Sequence, residues 1–216
     1  MSGRQPTERD TRRRQLGQNF LVDQRVVEHF VRSLDLRPGE LVVDLGAGTG
    51  ALTLPLLAAG VDVWAVECDP VWAEQLRREV TRRGGRAGGR VIETDLHRLR
   101  PPRPPFRVVA NPPFGSTTDV LAALLDAPER GPDRVDLIVQ RQVAEKHTRR
   151  PPSSLRTAAW APWWEFRLGP TIERSAFRPR PRVDAAVLTI VRREPAVLPT
   201  WLAPRMRELL RTAWSG

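Results

Sequence analysis

Short strand-like runs at residues 41–45, 61–66, 90–93, 106–110 and 135–139 alternate with segments that repeat apolar residues at helical spacing. Four of the runs end beside a residue able to meet a ligand. The glycine turn Gly46-Ala-Gly48-Thr-Gly50 follows the first, Glu67 closes the second, Asp95 follows the third and Asn111 the fourth. Strands alternating with helices imply a mostly parallel sheet with helices on both faces. In such sheets ligands bind beyond the carboxyl ends of the strands. Four otherwise unrelated features therefore gather along one edge. The expected fold class is α/β, Rossmann-like, with a mostly parallel seven-stranded sheet.

The fourth run empties into Asn111-Pro112-Pro113-Phe114. Two consecutive prolines remove two backbone N–H donors and fix φ, so the turn is stiff. An Asn side-chain oxygen and a Pro carbonyl can converge on one amino group while an aromatic ring stacks over the ring that carries it. Such a turn seats a flat base with an exocyclic NH2. Alone, the segment also reads as an ordinary Pro-rich loop, because Pro-Pro recurs at 101–102, 104–105 and 151–152.

The glycine turn lets backbone approach a ligand at a helix N-terminus, or is simply a tight strand-to-helix connection. Glu67 can accept from both hydroxyls of a ribose, a device nicotinamide enzymes share. Asp95 can accept from an adenine amino group, or serve as an N-cap or surface acid. These residues leave open which nucleotide-like ligand is meant.

Hydrophobic content of 40% and 28% charged residues are globular values for 216 residues. Net charge is +10, nearly all from arginine, since Lys146 is the sole lysine. Arginine grips phosphate bidentately and stacks on bases, so the balance suits nucleic acid. A genomic bias toward Arg, Ala and Pro raises arginine content but leaves the uncompensated charge unexplained. One cysteine, Cys68, excludes an internal disulfide and a cysteine-based zinc cluster. His29, His97 and His147 lack ligand spacing and read as structural or surface residues; no metal is expected. No apolar run is long enough for a bilayer, and the Arg-rich start lacks an apolar h-region. A cytoplasmic monomer without membrane contact is expected.

Three regions are predicted: a basic flexible arm at 1–15, a catalytic domain at 16–194 and the start of a short helical region at 195–216. Helices are predicted at 24–36 with Asp23 as N-cap, 51–59, 70–82 with Pro70 in first position, 117–125, 141–149 and 202–214. The Trp-rich stretch 158–168 is expected to contain a sixth strand and 185–191 the last.

Gln18-Asn19-Phe20-Leu21, Asp44-Leu45-Gly46-Ala47-Gly48-Thr49-Gly50, Glu67, Asp95, Asn111-Pro112-Pro113-Phe114, the stretch Gln140 to Lys146 and the stretch Phe177 to Asp184 occur in the order of the rRNA adenine N6-methyltransferases. The chain resembles that family, the Erm type in particular, which confers macrolide–lincosamide–streptogramin resistance. The matching blocks span about residues 12–192. The resemblance implies a class I methyltransferase fold and S-adenosylmethionine as donor. It implies that Gln18, Asn19 and Leu21 lie near the methionine part, with Gly46, Gly48 and Gly50 beneath it. Glu67 and Cys68 would lie at the ribose, Asp95 and Leu96 at the adenine. Asn111, Pro112 and Phe114 would hold the target adenosine, with Asn111 also among the donor-binding residues, and Phe177 matches a second aromatic near the extruded base; simple core packing is the other reading of Phe177. The implied partner is 23S rRNA or a ribosomal precursor. Two departures stand out. Asn-Pro-Pro-Phe is also found in DNA adenine-N6 methyltransferases. The family also continues into a small helical C-terminal domain, whereas this chain ends at Gly216, inside what matches that domain's first helix, so the C-terminal region is truncated or minimal.

The N6 amine is a poor nucleophile because its lone pair is delocalised into the purine. Acceptance of its two hydrogens by Asn111 Oδ1 and the Pro112 carbonyl would free that lone pair, and proximity of this sort contributes roughly 7–11 kcal/mol. Arg141, Lys146, Arg149, Arg150, Arg178, Arg180 and Arg182 are candidates for RNA contact, or solvated surface charge. Trp160, Trp163 and Trp164 are stacking platforms or core. The alternatives carried forward are a small-subunit rRNA adenine dimethyltransferase, a DNA adenine-N6 methyltransferase, a non-catalytic RNA-binding relative and a nucleotide-linked oxidoreductase.

Overall fold

A computed structural model describes residues 19–82, 88–96, 98–103 and 105–214. Gln18, the basic arm and His97 lie outside the described residues. In chain order the elements are β1 (Phe20–Leu21), α1 (Gln24–Ser33), β2 (Leu41–Leu45), α2 (Thr53–Ala58), β3 (Asp62–Glu67), α3 (Pro70–Arg82), β4 (Gly89–Glu93), β5 (Arg107–Ala110), α4 (Thr117–Leu125), β6 (Arg134–Gln140), α5 (Arg141–Thr148), α6 (Leu155–Trp160), β7 (Trp164–Ile172), β8 (Phe177–Arg178), β9 (Ala185–Arg192) and α7 (Ala203–Trp214).

Seven strands form one sheet in the order β4-β3-β2-β5-β6-β9-β7. β2 to β6 run parallel, and β9 and β7 close one side antiparallel. The central strands are mostly apolar because helices cover both faces, with Asp44, Arg107 and Asp136 as buried exceptions. Side chains still alternate. Val43, Val108, Leu137 and Val139 enter one core; Val42, Val109 and Ile138 enter the other. This period-two split seats two helical layers on one sheet and fixes strand register.

Local signals account for most element ends. Asp23 Oδ1 accepts from the backbone N–H groups of Arg25 at 2.9 Å and Val26 at 3.3 Å, so α1 starts where a cap is available. The helix predicted to reach residue 36 stops at Ser33, because Asp35 adopts φ 51° and cannot continue it. The stretch 158–168 does contain the start of a strand, preceded by the end of a helix. Ser154 Oγ accepts from Thr157 N–H and starts helix α6, and β7 begins only at Trp164. Aromatic enrichment suggests strand there, but the cap nucleates a short helix first.

Trp160, Trp163 and Trp164 are all buried, at most 2% exposed, so none is a stacking platform. Indole N–H groups of Trp160 and Trp163 donate to Asp126 Oδ1 at 2.8 Å and the Leu198 carbonyl at 2.7 Å. His147 stacks on Phe166 and bonds Thr157 Oγ1 at 2.8 Å; burial holds its pKa down at about 4, so it is neutral and structural. Helix α7 is tied back by Arg207, which donates to the Asp126 carbonyl at 2.9 Å. Among the described residues no helix is long and apolar enough to cross a membrane.

Besides α6, two short strands escaped prediction. β1 and β8 pair antiparallel as a separate two-stranded sheet, with Phe20 opposite Arg178 and Leu21 opposite Phe177. This clasp joins the start of the described chain to the loop before β9, across the carboxyl edge of the main sheet.

Candidate active site

Parallel register puts Leu45, Glu67, Glu93, Ala110 and Gln140 at one end of the sheet. The glycine turn, Asp95 and Asn111 follow directly, so the four features do share one edge. Two cavities lie there, and Gly46 and Pro113 line both. The smaller, about 30 Å³, is lined by Asn19, Phe20, Asp44, Gly48 and Asn111 among others. The larger, about 220 Å³, is lined by Cys68, Thr94, Asp95, Leu96, Pro112 and Ser116 among others.

Asn111 is held by its amide nitrogen, which donates to the backbone carbonyl of Asn19 at 2.9 Å. Its Oδ1 is buried and has no hydrogen-bond partner. Leaving a buried acceptor unpaired costs about 1–3 kcal/mol; among the described residues Arg107 Nε and Trp164 Nε1 are unpaired as well, but of the three residues only Asn111 lines a cavity at this edge, where a ligand can complete it. Pro112 is buried beside it, and Phe114 opens a single turn of 3-10 helix whose end is held by Thr117 Oγ1 donating to the Phe114 carbonyl.

The glycine turn is shaped from below by Glu67. Its Oε2 accepts from Gly48 N–H and its Oε1 from Asp69 N–H, both at 2.8 Å, and the residue is 1% exposed. Both oxygens accept from turn amides, so the carboxylate is held in place, and each oxygen keeps a second lone pair with which to take a ribose hydroxyl. At Gly50, φ is 83° and a Cβ would sit 2.6 Å from Leu76 Cδ1, so packing against the core already requires a glycine there. Gly48 does face the cleft: at φ 52° its missing Cβ is replaced by the Phe20 ring, with Cε1 at 2.9 Å.

Asp44 is a site residue that the motif alone does not reveal, although it opens the glycine turn. It is buried, lines the smaller cavity, and accepts from Thr53 Oγ1 at 2.6 Å. Burial pushes its carboxyl up to about 7, with Glu67 adding to the rise and Thr53 opposing it. Cys68 is exposed on the larger cavity; burial of the thiol and the neighbouring Glu67 push its pKa up, away from thiolate chemistry. Asp95 accepts from Arg98 N–H at 3.0 Å through Oδ1 and remains half-exposed. Leu21 is buried in the clasp and also borders the smaller cavity.

Phe177 is corrected. It is 0% exposed, so no face is free for a base; it lies edge-on to Phe114 with centroids 6.1 Å apart. Its place in the clasp points the ring inward. The arginine candidates separate as well. Arg178 ends β8, Arg180 and Arg182 lie on the loop between β8 and β9 at the site edge, and Arg141 N–H donates to the Asp184 carbonyl in the same loop. Arg150 instead reaches Glu165, whose partner Val191 lies at the opposite end of the sheet. Arg178 is folded onto the Ser175 and Phe177 carbonyls, whereas Arg180 and Arg182 are exposed.

Residues 9–213 match the family described as Ribosomal RNA adenine dimethylase. An "rRNA methyltransferase" of Streptomyces thermotolerans is 42% identical over 217 residues, 100% of this chain and 70% of that protein. "Ribosomal RNA small subunit methyltransferase A" of Streptomyces coelicolor is 35% identical over 94% of this chain and 77% of its own length. Among solved structures, the 23S rRNA methyltransferase ErmE superposes with a TM-score of 0.79 at 27% identity, covering 92% of this chain and 80% of that one.

Proposed function

The chain belongs to the ribosomal RNA adenine dimethylase family, and from that membership and the geometry of its sheet edge we propose that it transfers methyl groups from S-adenosylmethionine to N6 of an adenosine in 23S rRNA. In a bacterial cell this would protect the ribosome from macrolides, lincosamides and streptogramins. The proposed enzyme is a cytoplasmic monomer that takes 23S rRNA or a ribosomal precursor.

The carrying observation is the unpaired, buried Oδ1 of Asn111 beside Pro112 and Phe114. An acceptor kept empty at the carboxyl edge suits an amino group that arrives with its substrate. Asn111 Oδ1 and the Pro112 carbonyl take the two N6 hydrogens, and the nitrogen lone pair turns out of conjugation. Phe114 offers a ring to the extruded base, and stacking of this kind is worth about 1–3 kcal/mol per base.

The residues present fit a sulfonium donor. Asp95, Leu96, Thr94 and Cys68 line the larger cavity, which suits a flat purine with an amino group facing a carboxylate. Asn19, Phe20 and the Gly46–Gly48 backbone line the smaller one, on the methionine side. S-adenosylmethionine supplies an activated methyl and its own leaving group, so the chain need only bind, orient and polarise. No general base is required before transfer, because the product ammonium is strongly acidic.

A small-subunit rRNA target is the second reading, favoured by the 35% identity to the Streptomyces coelicolor relative. Primer extension on ribosomal RNA from cells expressing the chain separates the two. A new stop in the peptidyl-transferase region of the large subunit supports the first. A stop near the 3′ end of the small-subunit RNA moves the assignment to the second. An unmodified RNA together with methylated adenine in DNA overturns both.

A further inference from the structure

The amide of Asn111 has two ends of nearly equal size, and only one of them can accept a hydrogen bond from an arriving amine. Nothing in its own strand decides which end points into the site. The structure supplies a decision from elsewhere. Asn111 Nδ2 donates to the Asn19 carbonyl at 2.9 Å, from a residue 92 positions away. Rotating the amide by half a turn would replace that bond with two carbonyl oxygens facing each other, while an NH2 would face the substrate amine. Both contacts would be repulsive.

The Asn19 carbonyl is itself held. The next two residues, Phe20 and Leu21, pair with Arg178 and Phe177 in the clasp, and Val22 and Asp23 N–H groups both donate to the Ala176 carbonyl, at 2.8 and 3.3 Å. Phe20 is wedged against Gly48 and packs on Trp72 with centroids 5.6 Å apart. The carbonyl is thus anchored by main-chain pairing on one side and ring packing on the other.

We propose that the clasp is the positioning element of the acceptor site: its Asn19 carbonyl locks the Asn111 amide so that Oδ1 alone faces the substrate amine. The inference rests on the reading of Asn111 as the amine acceptor. It assigns a role to the backbone of Asn19 and to the β1–β8 pair, beyond any contact they make with the donor.

The lock is testable without turnover. Asn19 and Asn111 are the only asparagines in the chain. Protein labelled with 15N-asparagine therefore shows two side-chain NH2 pairs, and substituting Asn111→Asp identifies the Asn111 pair by its loss. The expected result is one Asn111 proton exchanging with water at least roughly tenfold more slowly than the amide protons of free asparagine under the same conditions, as buried hydrogen-bonded groups do. Both Asn111 protons exchanging as fast as those of free asparagine overturns the lock, whatever reaction the enzyme performs.

Activity gives the second arm. Asn111→Asp keeps an acceptor oxygen but sets a second oxygen against the Asn19 carbonyl. The variant is expected to lose at least about 10²-fold in kcat at pH 8, a loss of the size that misorientation causes. It should recover part of that as pH falls, because a protonated carboxyl can donate to Asn19. Asp44 lines the same cavity and titrates in both proteins, so the ratio of variant to wild type at each pH is the quantity to read. A ratio near one at every pH overturns the lock. A wild type that fails to methylate adenosine overturns the functional reading instead, and the exchange measurement still decides the lock.

Discussion

Phe177 meets Phe114 edge-on, at 68° between ring planes, and only Phe114 keeps part of its ring outside the core. The two aromatics thus divide the work: one is available to a base, the other props it. Replacing each by alanine separates the roles. Phe177→Ala is expected to lower folding stability by about 3–5 kcal/mol, as loss of a buried ring does. Phe114→Ala should change stability little and raise the KM for RNA roughly tenfold, the stacking energy of one base. Urea unfolding midpoints and steady-state kinetics check the pair, and equal loss of stability in both variants would sink the distinction.

Asn111→Ala removes the unpaired acceptor and leaves the larger cavity, proposed for the adenine of the donor, unchanged in its lining. Methylation is expected to fall by roughly 10²-fold or more, while the dissociation constant for S-adenosylmethionine, read by calorimetry, stays within about threefold of wild type, under 1 kcal/mol. Near-normal turnover would falsify the polarising role.

Glycine substitutions offer a matched comparison. At Gly48 the chain sits at φ 52° and a Cβ would meet Phe20 Cε1 at 2.9 Å, so Gly48→Ala should cost about 1–2 kcal/mol and weaken donor binding. At Gly115 nothing lies within 4 Å of the added Cβ, so Gly115→Ala should be neutral or slightly stabilising. Thermal midpoints of the two variants, measured side by side, give the answer.

Asp44 makes stability depend on pH in a defined direction. Its folded pKa, about 7, stands above the ordinary 3.8. The neutral acid is the form the fold prefers. Its contribution is complete below pH 3.8 and is lost as pH rises through about 7. Asp44→Asn, which keeps an acceptor for the Thr53 hydroxyl, should therefore gain stability over wild type as pH rises from 4 to 8. A difference between the two that does not vary across that window would rule out the titration.

Arg180 and Arg182 project from the site edge, and Arg150 is drawn to Glu165 at the far end of the sheet. Changing Arg180 or Arg182 to Gln should weaken binding of an RNA fragment and reduce the slope of log affinity against log salt by about 0.7 for each phosphate no longer neutralised. Arg150→Gln should leave that slope unchanged. Filter binding at several salt concentrations distinguishes them.

The alternation of strand-like runs with helical spacing is enough to infer the parallel sheet and the edge on which Gly46, Glu67, Asp95 and Asn111 meet. That inference works because each signal is local: period-two burial, a capping Asp23, a Pro70 at a helix start. Which atoms are free at that edge is not local. Glu67 turns out to be held in place by the amides of Gly48 and Asp69, Phe177 to be core, and Asn111 to be held through Asn19. Each of these depends on partners brought together by the fold, and for Asn111 by a two-residue clasp too short to carry a periodic signal. A residue's type fixes what chemistry it can do; its neighbours in three dimensions decide which of its lone pairs, protons or ring faces are left to do it.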